Sequence, residues 1–473
     1  TLGPGATNLV TGIADAQLDF APLVAITAQA SSMRRHKESH QYIDILSMLK
    51  SITKWNVRID RPEITPESVR KAFKLAVSEK PGATHIEFPE DIASMDVEGN
   101  PLTIEDVEKT VASPESLSKA LRTIRDSKIP MIIAGHGVIR ANASQELTLF
   151  AEKSGIPVVT TFMGMGAMSA DHKLFISNIG LQSRDFIQCG IDKSDLIIAI
   201  GYDPVEFSPK WWDGTKKLIH IDANQPEVDT NYIAIKVLGD IKENLDALTS
   251  QVDFTKDYSY CLRLKNDIQK DMSELLTHTS KEGVNPLSVI NIIRNTLDRG
   301  DILISDVGAH KIWIGRCYMA YEPNSVLISN GFASMGIALP SAITAKLLYP
   351  EKNVVCVVGD GGFMMSVCEL ETAKRLNLNF TVIIFNDNGY GLIKWKQHNR
   401  YKKDFFVDIT NPNFPKLADA FGCYGYEVTS EQDLIVALKK SLRSKNISII
   451  DCKIDYSINR ILTERLGKIV CRI

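Results

Sequence analysis

The sequence lacks most of what would send a chain to a membrane, to nucleic acid or to an oxidising compartment. Nowhere in its 473 residues is there a run of about 18 uninterrupted apolar residues, so no transmembrane helix is expected. Neither charge predominates. Lys and Arg total 54 against 57 Asp and Glu, a balance of −3, which gives no electrostatic case for nucleic acid or an anionic membrane as partner. Eight cysteines are scattered without a Cys-x-x-Cys pair, and Cys356, Cys368 and Cys452 fall within apolar runs. Buried free thiols in a reducing compartment, the cytoplasm, are the expectation, with disulfides or zinc as alternatives. There is no internal repeat and no low-complexity tract. There is no initiator Met either; the chain opens on Thr1 and a loop-like Leu2-Gly3-Pro4-Gly5, and a preceding segment is expected to have been lost.

What the chain has is apolar residues, 44% of the total, and a length that predicts roughly three domains at about 150 residues each. Gly3 to Asn8 is turn chemistry, and Thr7 or Asn8 is expected to cap a helix carrying Leu9, Val10, Ile13, Ala14 and Leu18 at helical spacing. Pro22 to Thr27 and His85 to Phe88 read as buried strands of a βαβ unit, with polar residues from Ser31 to Asp44 as the loop between them. A stretch containing Pro89-Glu90-Asp91 and Pro101 then runs to about Ser113 and marks a boundary. Beyond it Pro130 to Ala134, Ile156 to Thr160, Leu196 to Ile200 and Leu218 to Ile221 are strands, with a helix near Ala143 to Ser154. That alternation argues for a parallel sheet with helices on both faces. A dinucleotide site at its glycine-bearing strand ends stays open as an alternative, although no Gly-x-Gly-x-x-Gly follows the opening strand. Tyr258 to Glu282 reads as a charged, solvated linker helix, and Asp301 to Ser305 as the next strand. The expected class is α/β, three doubly wound domains with mainly parallel sheets, at 1–100, 114–250 and 280–460.

The most informative stretch is Gly359-Asp360-Gly361-Gly362, which follows the apolar run Asn353 to Val358. The glycines sit where a buried parallel strand ends, the place where open α/β sheets hold their ligands. Glycine there lets backbone N–H groups approach an anion, but Asp360 in the same turn would repel a phosphate unless a cation stood between them. A second apolar run, Thr381 to Phe385, delivers Asp387 to an equivalent strand end within Asn386-Asp387-Asn388-Gly389-Tyr390. Two strand-end carboxylates, loop carbonyls and phosphate oxygens make a hard oxygen site suited to Mg²⁺.

Two apolar strands that each end in Gly, Asn or Asp, separated by a helix-sized segment with Glu369-Leu370-Glu371-Thr372-Ala373, resemble the cofactor motif of thiamine diphosphate-dependent enzymes. The family usually closes that motif on Asn-Asn; Asp387 stands at the second Asn, a departure shared with the catabolic acetolactate synthase branch. The resemblance implies thiamine diphosphate and Mg²⁺ as cofactors, with Asp360, Asp387 and the Gly389 carbonyl on the metal. Gly359, Gly361, Gly362, Asn388 and Leu392 would line the cofactor. His310, after Asp306-Val307-Gly308-Ala309, would contact the diphosphate, and Met335 would support the bent cofactor; a structural histidine and a core methionine are the plain alternatives. His40 and Gln41 match a pair that lies near substrate in the catabolic branch, and are otherwise two polar loop residues.

The resemblance covers the chain from Gly3-Pro4-Gly5-Ala6-Thr7-Asn8 and Ser51 to Trp55, which look like a pyrimidine-binding domain, to Asp455 to Asn459 and Leu462 to Gly467. Ile200 to Phe207 lacks the arginines of flavin-containing synthases, so FAD is disfavoured. At the position of the Trp that selects 2-ketobutyrate in anabolic synthases stands Lys396, beside Trp395. The reaction implied is decarboxylation of pyruvate and condensation of the two-carbon unit with a second pyruvate to 2-acetolactate, in a homodimer or homotetramer with the site between subunits. The activating glutamate of the family precedes Gly3-Pro4-Gly5, whereas the first glutamate here is Glu38. This chain alone is therefore expected not to turn over. A different thiamine diphosphate-dependent decarboxylase or oxidase, and a noncatalytic cofactor-binding remnant, remain the alternatives.

Overall fold

The computed structural model describes residues 2–103, 108–180, 185–208, 216–226, 234–278, 280, 282–466 and 468–469. The chain forms two compact units, Thr1–Lys109 with Asn330–Ser334, and Thr110–Ser329 with Met335–Ile473.

The first unit holds a three-stranded parallel sheet of β1 (Leu23–Gln29), β2 (Trp55–Arg58) and β3 (Ala83–Pro89), in the order β1-β3-β2. Helix Gly3–Leu18 buries Ala6 and Ile13 with Ala25, Ile45 and Leu49 in one core, while Ala72 of helix Thr65–Val77 joins Ile59 and Ile86 in another. The first helix begins earlier than a cap at Thr7 or Asn8 would allow. Pro4 lies in its first turn, where a missing N–H has no intrahelical acceptor to serve. Thr7 instead donates its hydroxyl to the Pro4 carbonyl at 2.9 Å. Strand β2 escapes sequence reading because its four residues, Trp-Asn-Val-Arg, are half-buried throughout and show no apolar run.

The second unit contains two six-stranded parallel sheets. The central one comprises β4 (Pro130–Ala134), β5 (Val158–Thr160), β6 (Phe175–Asn178), β7 (Leu196–Ile200), β8 (Lys217–Asp222) and β9 (Ile235–Leu238), ordered β6-β5-β4-β7-β8-β9. The C-terminal one comprises β10 (Ile302–Ser305), β11 (Val326–Ile328), β12 (Val354–Gly359), β13 (Thr381–Asn386), β14 (Tyr424–Val428) and β15 (Ser448–Lys453), ordered β11-β10-β12-β13-β15-β14. Alternate side chains enter opposite cores: Ile132 and Ala134 on one face, Met131 and Ile133 on the other. Likewise Val355 and Val357 oppose Val354, Cys356 and Val358. Burial on both faces explains why these strands read as continuous apolar runs. The fold is thus three α/β domains, each on a parallel sheet. Strands β6, β9, β11 and β14 lie towards sheet edges and are short or polar, so no such run announces them.

Helix Ser259–Leu276 is not the solvated linker expected from its charges. Tyr260, Cys261, Leu264, Ile268, Asp271 and Leu275 recur at helical spacing and are buried, leaving the charged residues other than Asp271 off that stripe. Its Asp271 pairs with Arg316 at 2.9 Å, and Arg316 also pairs with Asp185 at 2.8 Å, so a buried guanidinium ties the central and C-terminal domains together. Cys356 and Cys452 are buried free thiols. Cys368 is exposed, because it stands on the surface just before helix Glu369–Arg375; Cys189 departs from expectation in being disulfide-bonded. No described helix is long and apolar enough to cross a membrane.

Strands β4 and β7 flank the switch point of the central sheet, where an open α/β sheet would take a dinucleotide. Here the turn after β7 fills the crevice with its own side chains. Tyr202, Glu206 and Phe207 are buried, and Glu206 accepts from the His136 N–H at 3.1 Å and from the Thr161 hydroxyl. The carboxyl occupies the anion position at the start of helix His136–Arg140. Burial pushes Glu206 up to about 7. The folded protein therefore retains a proton that the unfolded chain releases at the ordinary glutamate value, and this stabilisation is full below that value and lost as pH rises through about 7. Glu206→Gln keeps the hydrogen-bonding shape without the charge. Its stability relative to wild type, by urea denaturation, should be near equal at about pH 5 and clearly higher at about pH 8; a gap that does not widen with pH would contradict a buried carboxyl of this kind.

Candidate functional site

The register of the C-terminal sheet sets the geometry of the site. Strands β12 and β13 pair in parallel with Gly359 opposite Phe385, so Asp360 and Asp387 leave neighbouring strands at nearly the same level. Across the switch point, β10 pairs with β12 on its other side and ends just before Asp306. Three strand ends thus deliver Asp306, Asp360 and Asp387 to one edge of the sheet.

Asp360 is buried and fixed on both oxygens. Oδ1 accepts from its neighbour Gly361 N–H at 2.8 Å, and Oδ2 accepts from the Gly389 N–H at 3.1 Å and from Asn411 Nδ2 at 2.7 Å. The bond from Gly389 ties the two strand-end loops together. Gly389 itself has no room for a side chain, since a Cβ would stand 2.4 Å from Lys394 Nζ and 2.6 Å from the Val407 carbonyl oxygen. Asn388 adopts φ of 52°, a left-handed conformation that Asn tolerates better than most residues. Asp387 is raised to about 7, first by burial and then by the charge of Asp360, with Lys394 opposing. A buried carboxylate and a half-buried one that repel each other make a site in need of a cation. Among the described residues no group of three or more His, Cys, Asp or Glu could hold a metal ion. The oxygens of Asp360, Asp387 and Gly389 would need a ligand's oxygens to complete a hard-cation shell.

The opposite wall carries His310. The ring is buried, bonds to the backbone carbonyl of Asp306, and is held well below the ordinary histidine range, at about 4, by desolvation. Its Nε2 has no partner. The imidazole fits between glycines: a Cβ on Gly308 would stand 2.6 Å from its Cε1, and one on Gly359 would stand 3.5 Å away. Asp306 accepts from Val307 N–H at 2.7 Å and from Gly336 N–H at 2.9 Å, while burial raises it to about 6. A Cβ on Gly362 would come within 2.8 Å of Asp306 Oδ2, and one on Gly361 within 2.9 Å of the Tyr390 ring. The loop is therefore cleared of side chains where an anion would approach.

Gly359, Asp360, Gly361, Gly362, Asp387, Asn388 and Gly389 thus come together, with His310 across from them. Met335 is half-buried and precedes Gly336, which binds Asp306; Leu392 is half-buried in the first turn of helix Gly391–Tyr401. His40 and Gln41 belong to the N-terminal unit, where both are exposed. Their backbone carbonyls accept from Arg34 Nη2 at 3.3 Å and from the Gly3 N–H at 3.0 Å respectively. Two participants were missed in the sequence. Asp306 follows an apolar strand just as Asp360 does, and that signal was available. Asn411 sits in an irregular loop and left no trace.

Three family descriptions match in order: the N-terminal TPP binding domain of thiamine pyrophosphate enzymes over residues 1–48, their central domain over 117–248, and their C-terminal TPP binding domain over 306–452. The chain is 31% identical to an acetolactate synthase of Bacillus subtilis, over 99% of this chain and 84% of that protein. It is 33% identical to a probable acetolactate synthase large subunit of Methanocaldococcus jannaschii, over 96% and 80%. A catabolic acetolactate synthase of Raoultella terrigena matches at 30%, over 98% and 85%. The chain belongs to the thiamine diphosphate-dependent enzymes, in the family of the acetolactate synthases. The site suits that cofactor. Its unpartnered His310 Nε2 and its side-chain-free loop offer an anion a place, and its carboxylates would leave any metal there dependent on a ligand's oxygens.

Gly308→Ala should drive its methyl into the His310 ring, with an overpacking cost of about 1–3 kcal/mol and weaker thiamine diphosphate binding. Urea denaturation and calorimetric titration measure the two effects. A variant that loses stability but binds as wild type would remove His310 from the diphosphate contact.

Proposed function

We propose that this protein is an acetolactate synthase of the catabolic, flavin-independent kind, converting two molecules of pyruvate to 2-acetolactate and CO₂. The observation that carries the reading is the loop pair Gly359–Gly362 and Asn386–Gly389, in which Gly389 N–H holds Asp360 at 3.1 Å. Similarity to acetolactate synthases over nearly the whole chain supports the choice of reaction. Bound thiamine diphosphate would supply the carbon nucleophile and the electron sink for loss of CO₂.

The chain's own residues have distinct tasks in this reading. Asp360, Asp387 and the Gly389 carbonyl hold Mg²⁺, and with it the diphosphate. Gly359, Gly361, Gly362 and Asn388 let the backbone close on the phosphates. His310 holds a proton on Nε2 for a diphosphate oxygen once that anion offsets the desolvation which keeps the ring neutral. Met335 and Leu392 supply apolar contact, and His40 and Gln41 face the substrate. The flavin-independent part rests on Glu206, whose carboxyl already takes the His136 N–H and leaves it unavailable to the pyrophosphate of a dinucleotide. A homodimer or homotetramer in the cytoplasm completes the proposal.

Full-length protein given pyruvate, thiamine diphosphate and Mg²⁺ should form 2-acetolactate as its main product, with no flavin in the purified protein. Acetaldehyde or acetyl phosphate in its place would reassign the reaction. Asp360→Ala should abolish Mg²⁺-dependent cofactor binding in calorimetry, and retained binding would overturn the assignment of the metal loop.

A further inference from the structure

Helix Gly391–Tyr401 follows the metal loop directly and buries none of its residues. Its contact with the C-terminal core is made by Trp395, which is half-buried and packs against that core. Its ion pair and several of its hydrogen bonds are local: Lys394 to Asp408 at 2.9 Å, and Gln397 with the backbone of Phe405. Among the described residues, every hydrogen bond from this helix to a segment outside 386–408 ends on one atom, Thr463 Oγ1. Trp395 Nε1 donates to it at 2.7 Å and Asn399 Nδ2 at 3.4 Å.

Thr463 lies on helix Ile458–Arg465, which is itself well anchored. Ile458 and Leu462 are buried, and Arg465 pairs with Asp271 at 2.5 Å. One turn earlier on the same helix, Asn459 Oδ1 accepts from Trp313 Nε1 at 2.8 Å. Trp313 belongs to helix Ala309–Cys317, which also carries His310. Residues four apart share a helix face, so Asn459 and Thr463 offer neighbouring acceptors to two indoles. Each indole comes from one of the two helices that begin at the site. The Thr463 hydroxyl gives its own proton to the Asn459 carbonyl at 2.8 Å, which leaves its lone pairs to accept.

We infer that Thr463 is a positioning residue: through Trp395 it sets helix Gly391–Tyr401 over the metal loop, and with Asn459 it keeps the two walls of the cofactor site in register. The inference rests on the diphosphate reading of that site for its consequence, though not for the anchor itself. Thr463 acts at a distance and touches neither cofactor nor substrate. Valine at this position keeps the shape and removes the acceptor; serine keeps the acceptor.

The test compares full-length wild type, Thr463→Val and Thr463→Ser by two measurements that need no turnover. The first is trypsin digestion of ligand-free protein with mass-spectrometric mapping, since Lys394, Lys396, Arg400, Lys402 and Lys403 mark cleavage in or beside the helix. The second is calorimetric titration with thiamine diphosphate in the presence of Mg²⁺. Thr463→Val should be cut between residues 394 and 403 about fivefold faster than wild type and bind the cofactor about fivefold more weakly, the size of one neutral hydrogen bond. Thr463→Ser should restore both. Unchanged cleavage, or faster cleavage with unchanged affinity, overturns the positioning role, as does failure of serine to rescue. Wild type that does not bind thiamine diphosphate at all overturns the cofactor reading and the positioning role with it. Normal wild-type binding with an indifferent Thr463→Val overturns the positioning role alone.

Discussion

Two carboxylates forced to the same level at the ends of adjacent parallel strands are the constraint on which the rest of the site depends. Parallel pairing of β12 with β13 leaves no choice in the matter, because Gly359 opposite Phe385 puts Asp360 and Asp387 just beyond the last paired row. Both are partly or fully shut away from water, and that burial, with the charge of Asp360 added to it, raises Asp387 to about 7. The surrounding atoms accommodate the problem without solving it. Gly389 and Asn411 neutralise part of Asp360 with hydrogen bonds, and Lys394 stands beside the Asp387 and Asn388 carbonyl oxygens at 3.5 and 3.3 Å. None of these supplies a second positive charge close to both acids, so the geometry is poised for a divalent cation.

The same strand ends show how much of the molecule a sequence can disclose. Buried parallel strands are uninterrupted apolar runs, and a Gly or Asp that breaks such a run marks a strand end. That is why Asp360, Asp387 and the central strands could be placed from residues alone, and why the family resemblance could be attached to them. The logic fails where the run is missing. Strand β2 reads Trp-Asn-Val-Arg and β14 reads Tyr-Gly-Tyr-Glu-Val; both lie at sheet edges, where one side of the ladder does not have to be apolar. The helix Ser259–Leu276 escapes the same logic for a related reason. Its composition is charged, but its spacing is amphipathic, and spacing decides burial. His310 is intermediate: its place after a strand suggested a ligand contact, but only the structure shows Nε2 buried without a partner.

Contacts made by single side chains to distant segments lie beyond any sequence pattern. Asn411 reaches Asp360 from a loop far along the chain, and Thr463 accepts from an indole that precedes it by 68 residues. Such bonds carry no local signature because neither partner needs a particular neighbour in sequence. They nevertheless determine what the strand ends can do. A parallel sheet aims residues at an edge with little latitude, while the helices that follow each strand can pivot about the connecting loop, and their far ends need independent anchors. Helix Ala309–Cys317 has a buried core face, the Arg316 ion pairs and the Trp313–Asn459 bond. Helix Gly391–Tyr401 has no fully buried residue, and Trp395 packs half-buried against the core.

That asymmetry gives the two walls different roles. The wall with His310 is fixed because its helix is part of the core, so the unpartnered Nε2 is prepositioned and burial keeps the ring neutral. The wall with the metal loop is held by a hydrogen-bond cluster at its base and, at its far side, by Trp395, which packs against the core and donates to one threonine oxygen. Elements that admit a ligand are drawn from the less stable parts of a fold. Helix Gly391–Tyr401, with Trp395 half-buried against the core, has less packing to lose than the His310 helix, whose displacement would expose Trp313 and break the ion pairs of Arg316.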